Sequence, residues 1–200
     1  MEPSTGLTFL PDPITQFRQW LELREQHEIN DPNAMSLATV TAGGSPRVRI
    51  VLLKGIGPDG FQFFTNLESD KATEIAVNPN VALAFHWKSL QRQVRITGTV
   101  SKLPSADDDG YFATRYRISQ VGAWASAQSR PLKNMSELSS RLEEMNKKFE
   151  GMDVPRPPHW GGFNIKPQTI EFWAERPYRL HERMLYTLDQ NGWQQQRLYP

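Results

Sequence analysis

Cysteine is absent from this 200-residue chain. That excludes a disulfide framework, a thiolate zinc site and a cysteine nucleophile, and it favours an intracellular setting. Histidine is scarce: four are scattered without paired metal-ligand spacing, so no metal centre is expected. The formal net charge of +1 leaves no basic excess of the kind a general nucleic-acid binder carries, so any basic patch must be local. No apolar stretch approaches the roughly 20 residues of a membrane span, and the N-terminus lacks the basic-then-apolar build of a signal peptide. A soluble, cytoplasmic chain is expected, and 38% hydrophobic content is enough for one globular domain with a full core.

What the sequence does contain is organised around residues 47–55, where the apolar run Ile50-Val51-Leu52-Leu53 stands between Arg49 and Lys54. Such a run reads as a buried strand. Cations at both ends of it either emerge to solvent or meet an anion such as a phosphate, because an unpaired buried charge is costly. Before this stretch, residues 1–11 read as a flexible arm, and Asp12-Pro13 opens a helix with Ile14, Phe17 and Leu21 on one face. The single domain is expected to run from residue 12 to residue 200.

From Met35 the period becomes two, giving strands over 36–41, 47–54 and 61–66 as three consecutive antiparallel strands, the last two joined by a turn at 57–60. Ser69 then caps a short helix that carries Ala72, Ile75 and Ala76 inward. Lys71 near its N-terminus suits a phosphate, whereas Asp70 beside it suits an ordinary capped helix, and both readings stay open. Strands over 81–87 and 93–100 follow. Many short strands with peripheral helices point to a small barrel, mainly β in class with α+β character.

A helix from Ser105 places Tyr111 and Arg115 four apart with Ser119 beyond, which is either an anion grip or a solvated face. Gln128 and Ser129 lie in a polar loop, and 136–149 is a packing helix. After the proline-rich 154–158, strands are expected over 160–163, 170–173 and 179–186. Arg179, His181 and Arg183 would then share one strand face, lining either an anionic site or water. Asn191-Gly192 marks a closing hairpin.

Taken in order, Arg49-Ile50-Val51-Leu52-Leu53-Lys54, Phe64-Thr65-Asn66, Arg92-Gln93-Val94, Gln120-Val121-Gly122-Ala123-Trp124, Gln128-Ser129, Trp160-Gly161-Gly162, Glu171-Phe172-Trp173, Arg179-Leu180-His181-Glu182-Arg183 and Arg197-Leu198-Tyr199-Pro200 resemble the pyridoxine/pyridoxamine 5′-phosphate oxidase family over nearly the whole chain. The resemblance implies a split-barrel homodimer with FMN between its subunits. It implies that Arg49, Ile50, Val51, Leu52, Leu53, Lys54, Phe64, Thr65, Lys71, Gln93, Gln128, Ser129, Trp173 and Arg183 hold FMN. Lys54, Tyr111, Arg115 and Ser119 would grip the substrate phosphate, and Arg179 and His181 would face the pyridine ring as the catalytic pair. The implied activity oxidises pyridoxine or pyridoxamine 5′-phosphate with O2 to pyridoxal 5′-phosphate and H2O2. Where the family pattern has Arg beside Lys71, this sequence has Asp70, and the arm over 1–11 lacks the Arg and Tyr of many members. A flavin or pyridoxal-phosphate binding protein of low turnover, or a split-barrel flavoenzyme with another substrate, is the alternative.

Overall fold

The computed structural model describes residues 6–25, 31–57 and 59–200. Among these residues nine strands form one sheet: β1 (Ala34–Val40), β2 (Pro46–Leu52), β3 (Gly55–Gly57), β4 (Gly60–Asn66), β5 (Asn80–Trp87), β6 (Arg92–Lys102), β7 (Trp160–Ala174), β8 (Glu182–Asp189) and β9 (Gly192–Leu198). Their order is β2-β1-β5-β6-β7-β4-β3, with β8 on β7 and β9 on β8. The two ends of that order, β2 and β3, are one continuous piece of chain. Leu53 N donates to Asn33 O at 2.9 Å beside β1, and the next amide, Lys54 N, donates to Gln62 O at 2.8 Å on β4. The chain thus changes partner between two neighbouring residues and closes a barrel there, with Lys54 at the corner.

The interior follows from alternation. Met35, Leu37 and Thr39 of β1, Phe61, Phe63 and Thr65 of β4, and Val94, Ile96 and Val100 of β6 all point inward. Helix α1 (Pro13–Glu25) closes one barrel end with Phe17, fully buried, whose ring meets Phe61 at 4.9 Å and Phe85 at 5.0 Å edge-on. Burying a side chain of this size contributes about 2–3 kcal/mol. Asp12 caps α1, its carboxylate accepting from Thr15 N at 2.8 Å. Short helix α2 (Asp70–Val77) follows β4, and α3 (Ser105–Ala113), α4 (Arg117–Ala125) and α5 (Met135–Lys148) build a second apolar cluster of Phe112, Val121, Phe149, Val154 and Trp160.

Several sequence-based expectations need correction. Strand β2 is an edge strand bonded only to β1, with Val48 70% and Ile50 63% exposed, so of the apolar run only Leu53, just past the strand, is fully buried. Strand β4 pairs with β7 and β3 rather than with β2, because the chain switches partner at Lys54. Of the turn over 57–60, Pro58 lies outside the described residues. Residues 160–174 are one strand of 15 residues, not two, accommodated by a register shift at Thr97/Gly98 of β6. Gly98 is required there, since a Cβ would stand 2.2 Å from Lys166 O. Ala76 is exposed, while Ala72, Glu74 and Ile75 face inward.

The hairpin at the C-terminus pairs Asp189 with Gly192, so its loop is Gln190-Asn191, one residue earlier than expected. Of the N-terminal arm, residues 1–5 lie outside the described residues. The remainder is tied to the body: Leu7 N donates to Glu182 Oε2 at 2.8 Å, and Leu10 O accepts from the Tyr186 hydroxyl at 2.7 Å and from Gln195 Nε2 at 2.8 Å. Burial pushes that tyrosine's pKa up to about 12, which keeps the hydroxyl a donor.

Candidate functional site

A cavity of about 500 Å3 opens at the Lys54 corner. Ile50, Val51, Leu52 and Lys54 bring the switching strand to it, Phe64 and Thr65 come from β4, Lys71 from α2, Tyr111 and Arg115 from α3 and the turn after it, Ser119 from α4, and Gln128 from the following loop. Eleven residues from six segments expected to hold a cofactor or a substrate phosphate therefore line one space. A larger opening of about 690 Å3 lies around Arg117 and residues 146–153. None of the expected site residues lines it, and Arg117 already donates to main-chain carbonyls of Met152 and Phe149.

The cavity is cationic, and two of its cations are held ready for an anion. Lys71 Nζ donates to Gln128 Oε1 at 2.8 Å and to Thr65 Oγ1 and Ser69 Oγ at 3.1 Å each, so these hydrogen bonds go to neutral oxygens. Burial, then the charge of Arg49, lowers its pKa. Burial likewise lowers the pKa of Arg115, whose Nη1 is buried with no hydrogen-bond partner among the described residues. That guanidinium lies 4.8 Å over the Trp160 ring, which orients it without neutralising it. Trp160, Phe64 and Tyr111 are near-parallel, with Tyr111 on Phe64 at 4.1 Å, so the grip has a stiff aromatic wall. An orphaned buried guanidinium nitrogen beside Lys54, a tyrosine and a serine suits a phosphate.

Helix α3 is seated by Asp108, whose Oδ1 accepts from Gly162 N at 2.7 Å. Burial pushes that carboxyl's pKa up, against the hydrogen bond and the nearby charge of Arg156. Gly161 and Gly162 make room for this seat, since a Cβ on the first would stand 2.7 Å from Asp108 Oδ2 and one on the second 2.6 Å from Phe64.

Other expected residues stand elsewhere. Arg49 does not line the cavity; its Nη2 lies 2.8 Å from Glu74 Oε2 and its Nη1 donates to Thr39 Oγ1. The Leu53 side chain is in the core. Ser129 sits at the N-terminus of α2, its Oγ accepting from Asp70 N at 3.3 Å.

Gln93, Trp173 and Arg183 are cross-strand neighbours on β6, β7 and β8, and the His181 ring packs on Trp173 at 4.6 Å. This group is at the opposite end of β7 from Gly161, the partner of Thr65. The two positions are twelve residues apart along β7. Nor do Arg179, His181 and Arg183 share a strand face. Pro177–Arg179 form a single helical turn with Tyr178 and Arg179 at positive φ, and β8 begins only at Glu182.

Sequence reasoning missed Trp160 as a cavity wall, Glu74 as the partner of Arg49, and Glu171 as the partner of Arg183 at 2.8 Å. A glutamate between Ala72 and Ile75 on an inward helix face was the available signal for Glu74. Among the described residues no group of three or more His, Asp or Glu is placed to hold a metal ion, and no helix is long and apolar enough to cross a membrane.

Two solved structures share this fold. PhzG from Burkholderia lata 383, in complex with tetrahydrophenazine-1-carboxylic acid, superposes with a TM-score of 0.91 at 28% identity, covering 99% of this chain and 100% of that one. A pyridoxamine 5′-phosphate oxidase-related, FMN-binding protein from Nostoc punctiforme superposes at 0.76 with 15% identity over 97% of this chain and 100% of that one, a likeness of fold alone. The architecture is thus that of the split-barrel flavin-binding proteins.

Within that class, the profile described as Pyridoxamine 5′-phosphate oxidase matches residues 22–149, and Pyridoxine 5′-phosphate oxidase C-terminal dimerisation region matches residues 160–200. The chain belongs to the pyridoxine/pyridoxamine 5′-phosphate oxidase family. Its similar relatives include the proteins of that name from Sphingopyxis alaskensis, 54% identical over 94% of this chain and 88% of the relative, and from Rhodospirillum rubrum, 51% identical over 94% and 96%.

Proposed function

We propose that this chain is an FMN-dependent oxidase that converts pyridoxine 5′-phosphate or pyridoxamine 5′-phosphate to pyridoxal 5′-phosphate. O2 is the electron acceptor, H2O2 is released, and ammonia accompanies the amine substrate. The observation that carries the reading is the buried, unpartnered Arg115 Nη1 in one cavity with Lys54, Tyr111 and Ser119. Relatives about half identical over most of the chain carry the oxidase name, which disfavours the alternative of a low-turnover binding protein.

The active unit is a homodimer. One protomer offers the cavity at Lys54 and its partner offers the group around Trp173, which stands at the other end of β7 from that cavity. The match to a dimerisation region supports this assembly, and the exposed apolar face of β2 gives it a surface to bury. FMN would be held by the stretch Ile50 to Lys54, Phe64, Thr65, Lys71, Gln128 and Ser129 of one subunit, and by Gln93, Trp173 and Arg183 contributed across the interface, with Arg49 bracing the Lys71 helix through Glu74. Bound FMN supplies hydride acceptance and the return of electrons to oxygen.

The chain's own residues do the rest. Lys54, Tyr111, Arg115 and Ser119 fix the substrate phosphate, and that remote binding energy orients the reacting carbon. Arg179 and His181 face the pyridine ring, Arg179 compensating developing negative charge. The domain runs from residue 12 onward, and the cysteine-free composition supports a cytoplasmic setting.

The test is an absorbance spectrum of the purified protein with and without FMN, followed by pyridoxine 5′-phosphate under air. Flavin bands together with substrate-dependent peroxide and pyridoxal 5′-phosphate are expected. Bound flavin that the substrate never reduces would contradict the oxidase reading.

A further inference from the structure

The segment between β7 and β8 is closed at its neck by its own ends. Arg176 N donates to His181 Nδ1 at 3.2 Å, and Arg176 Nε lies 2.6 Å from Glu182 Oε1. Glu182 is anchored in turn, its Oε2 accepting from Leu7 N at 2.8 Å and lying 3.7 Å from Arg197 Nη1. Inside this neck Tyr178 and Arg179 hold left-handed φ values of 59° and 62°. Two successive side-chain-bearing residues stay in that region only where their surroundings over-determine them.

The first of these contacts has a chemical consequence for His181. A main-chain N–H can only donate, so His181 Nδ1 must present its lone pair. A neutral imidazole has one donor and one acceptor nitrogen, which places the proton on Nε2. An imidazolium would set Nδ1–H against the Arg176 N–H and open the neck.

We infer that the Arg176 amide fixes His181 as the Nε2–H tautomer, so that His181 serves the site as a hydrogen-bond donor while Arg176 and Glu182 act as positioning residues for the loop that carries Arg179. This rests on the reading that Arg179 and His181 face the substrate ring. In this tautomer Nε2 already carries its proton and cannot take one from the substrate alcohol or amine.

The test uses the FMN-loaded full chain labelled with 15N-histidine, observed by long-range 1H–15N correlation at neutral pH. The chain's four histidines give four ring patterns, and His181→Asn assigns the one that disappears. A pyridine-type Nδ1 with a pyrrole-type Nε2 is expected for His181. A protonated Nδ1, alone or in an imidazolium, overturns the inference.

Kinetics separate the two nitrogens. His181→Asn places a carbonyl oxygen where Nδ1 accepts, and His181→Gln places an amide donor where Nε2–H stood. The Asn variant should lose kcat with its KM for pyridoxine 5′-phosphate held within about threefold, whereas the Gln variant should raise KM by about tenfold. Equal KM values in the two variants would remove the neck from the account. The spectrum reads the loop alone, while FMN uptake and turnover by the unsubstituted protein read the function beneath it, so the two failures are told apart.

Discussion

The Arg49 guanidinium is committed to a carboxylate, with Nη2 2.8 Å from Glu74 Oε2 and Thr39 bridging both side chains. The pair ties β2 through β1 to helix α2, which carries Lys71. Burial works against the charged form of Glu74, but hydrogen bonds from Thr39 and Arg49, together with the charge of Arg49, hold its pKa below the usual glutamate value. A carboxylate lowered in the folded state contributes stability that is complete above its unfolded pKa and lost as pH falls through its folded one.

Glu74→Gln should therefore cost about 2 kcal/mol at neutral pH by leaving a half-buried cation without its partner. The difference in Tm between the two proteins should shrink as pH falls below the ordinary glutamate range. Thermal melts across that range check this, and a gap independent of pH would show that the pair contributes nothing through charge.

In the proposed substrate grip Arg115 stands differently, because nothing among the described residues satisfies its buried Nη1. Arg115→Met keeps the stem on Trp160 and removes the cation. A charge-assisted, desolvated contact of this kind is worth about 2–3 kcal/mol, so KM for pyridoxine 5′-phosphate should rise by about 30- to 150-fold. FMN affinity, read by quenching of flavin fluorescence on titration, should stay within about threefold. A large fall in FMN affinity with unchanged KM would reassign Arg115 to the cofactor.

The sequence made some of this legible and hid the rest for identifiable reasons. Strict alternation disclosed β6, and Asp12-Pro13 disclosed the start of α1, because both signals are local. The cavity residues Lys54, Thr65, Lys71, Tyr111, Arg115, Ser119 and Gln128 were legible by type and by order of motifs, yet their convergence depends on the partner switch at Lys54, a non-local event. The edge position of β2 was hidden because an apolar strand buried by its own chain and one left for a partner to cover have the same pattern. Pro177 and the Arg176 to His181 neck broke the alternation expected over 179–183, and that neck requires a contact between two loop ends.

The double glycine offers a packing test with an internal control. A Cβ at Gly162 would stand 2.6 Å from both Leu103 Cδ1 and Phe64 Cε1, so Phe64 must leave its place against Tyr111. Gly162→Ala should cost about 1–3 kcal/mol by overpacking and raise the substrate KM through Tyr111. Gly110, on helix α3, has nothing within 4 Å of a built Cβ, so Gly110→Ala should stabilise by about 0.5–1 kcal/mol. Opposite shifts in denaturant midpoint at nearly constant m-value check the pair. A stabilising shift at both positions would mean that Phe64 is free to move.

Asp70 stands where the family pattern has a cation, at the first turn of α2 and directly before Lys71. Its carboxylate suits the helix dipole but opposes an anion bound at the same helix end. Ser129 Oγ already accepts from Asp70 N, so the backbone there is held whichever side chain follows. Asp70→Arg replaces repulsion by attraction near Lys71 and should tighten FMN binding by about tenfold, an effect on the order of 1.4 kcal/mol. The gain should fall as salt is raised, because the side chain is exposed. Riboflavin, which lacks the phosphate, is the control: its affinity should be the same in both proteins. Fluorescence titrations with the two flavins decide the matter. Equal tightening for riboflavin would mean that the substitution acts through the helix and not through the phosphate, whereas unchanged FMN affinity would mean that Asp70 does not face the cofactor at all.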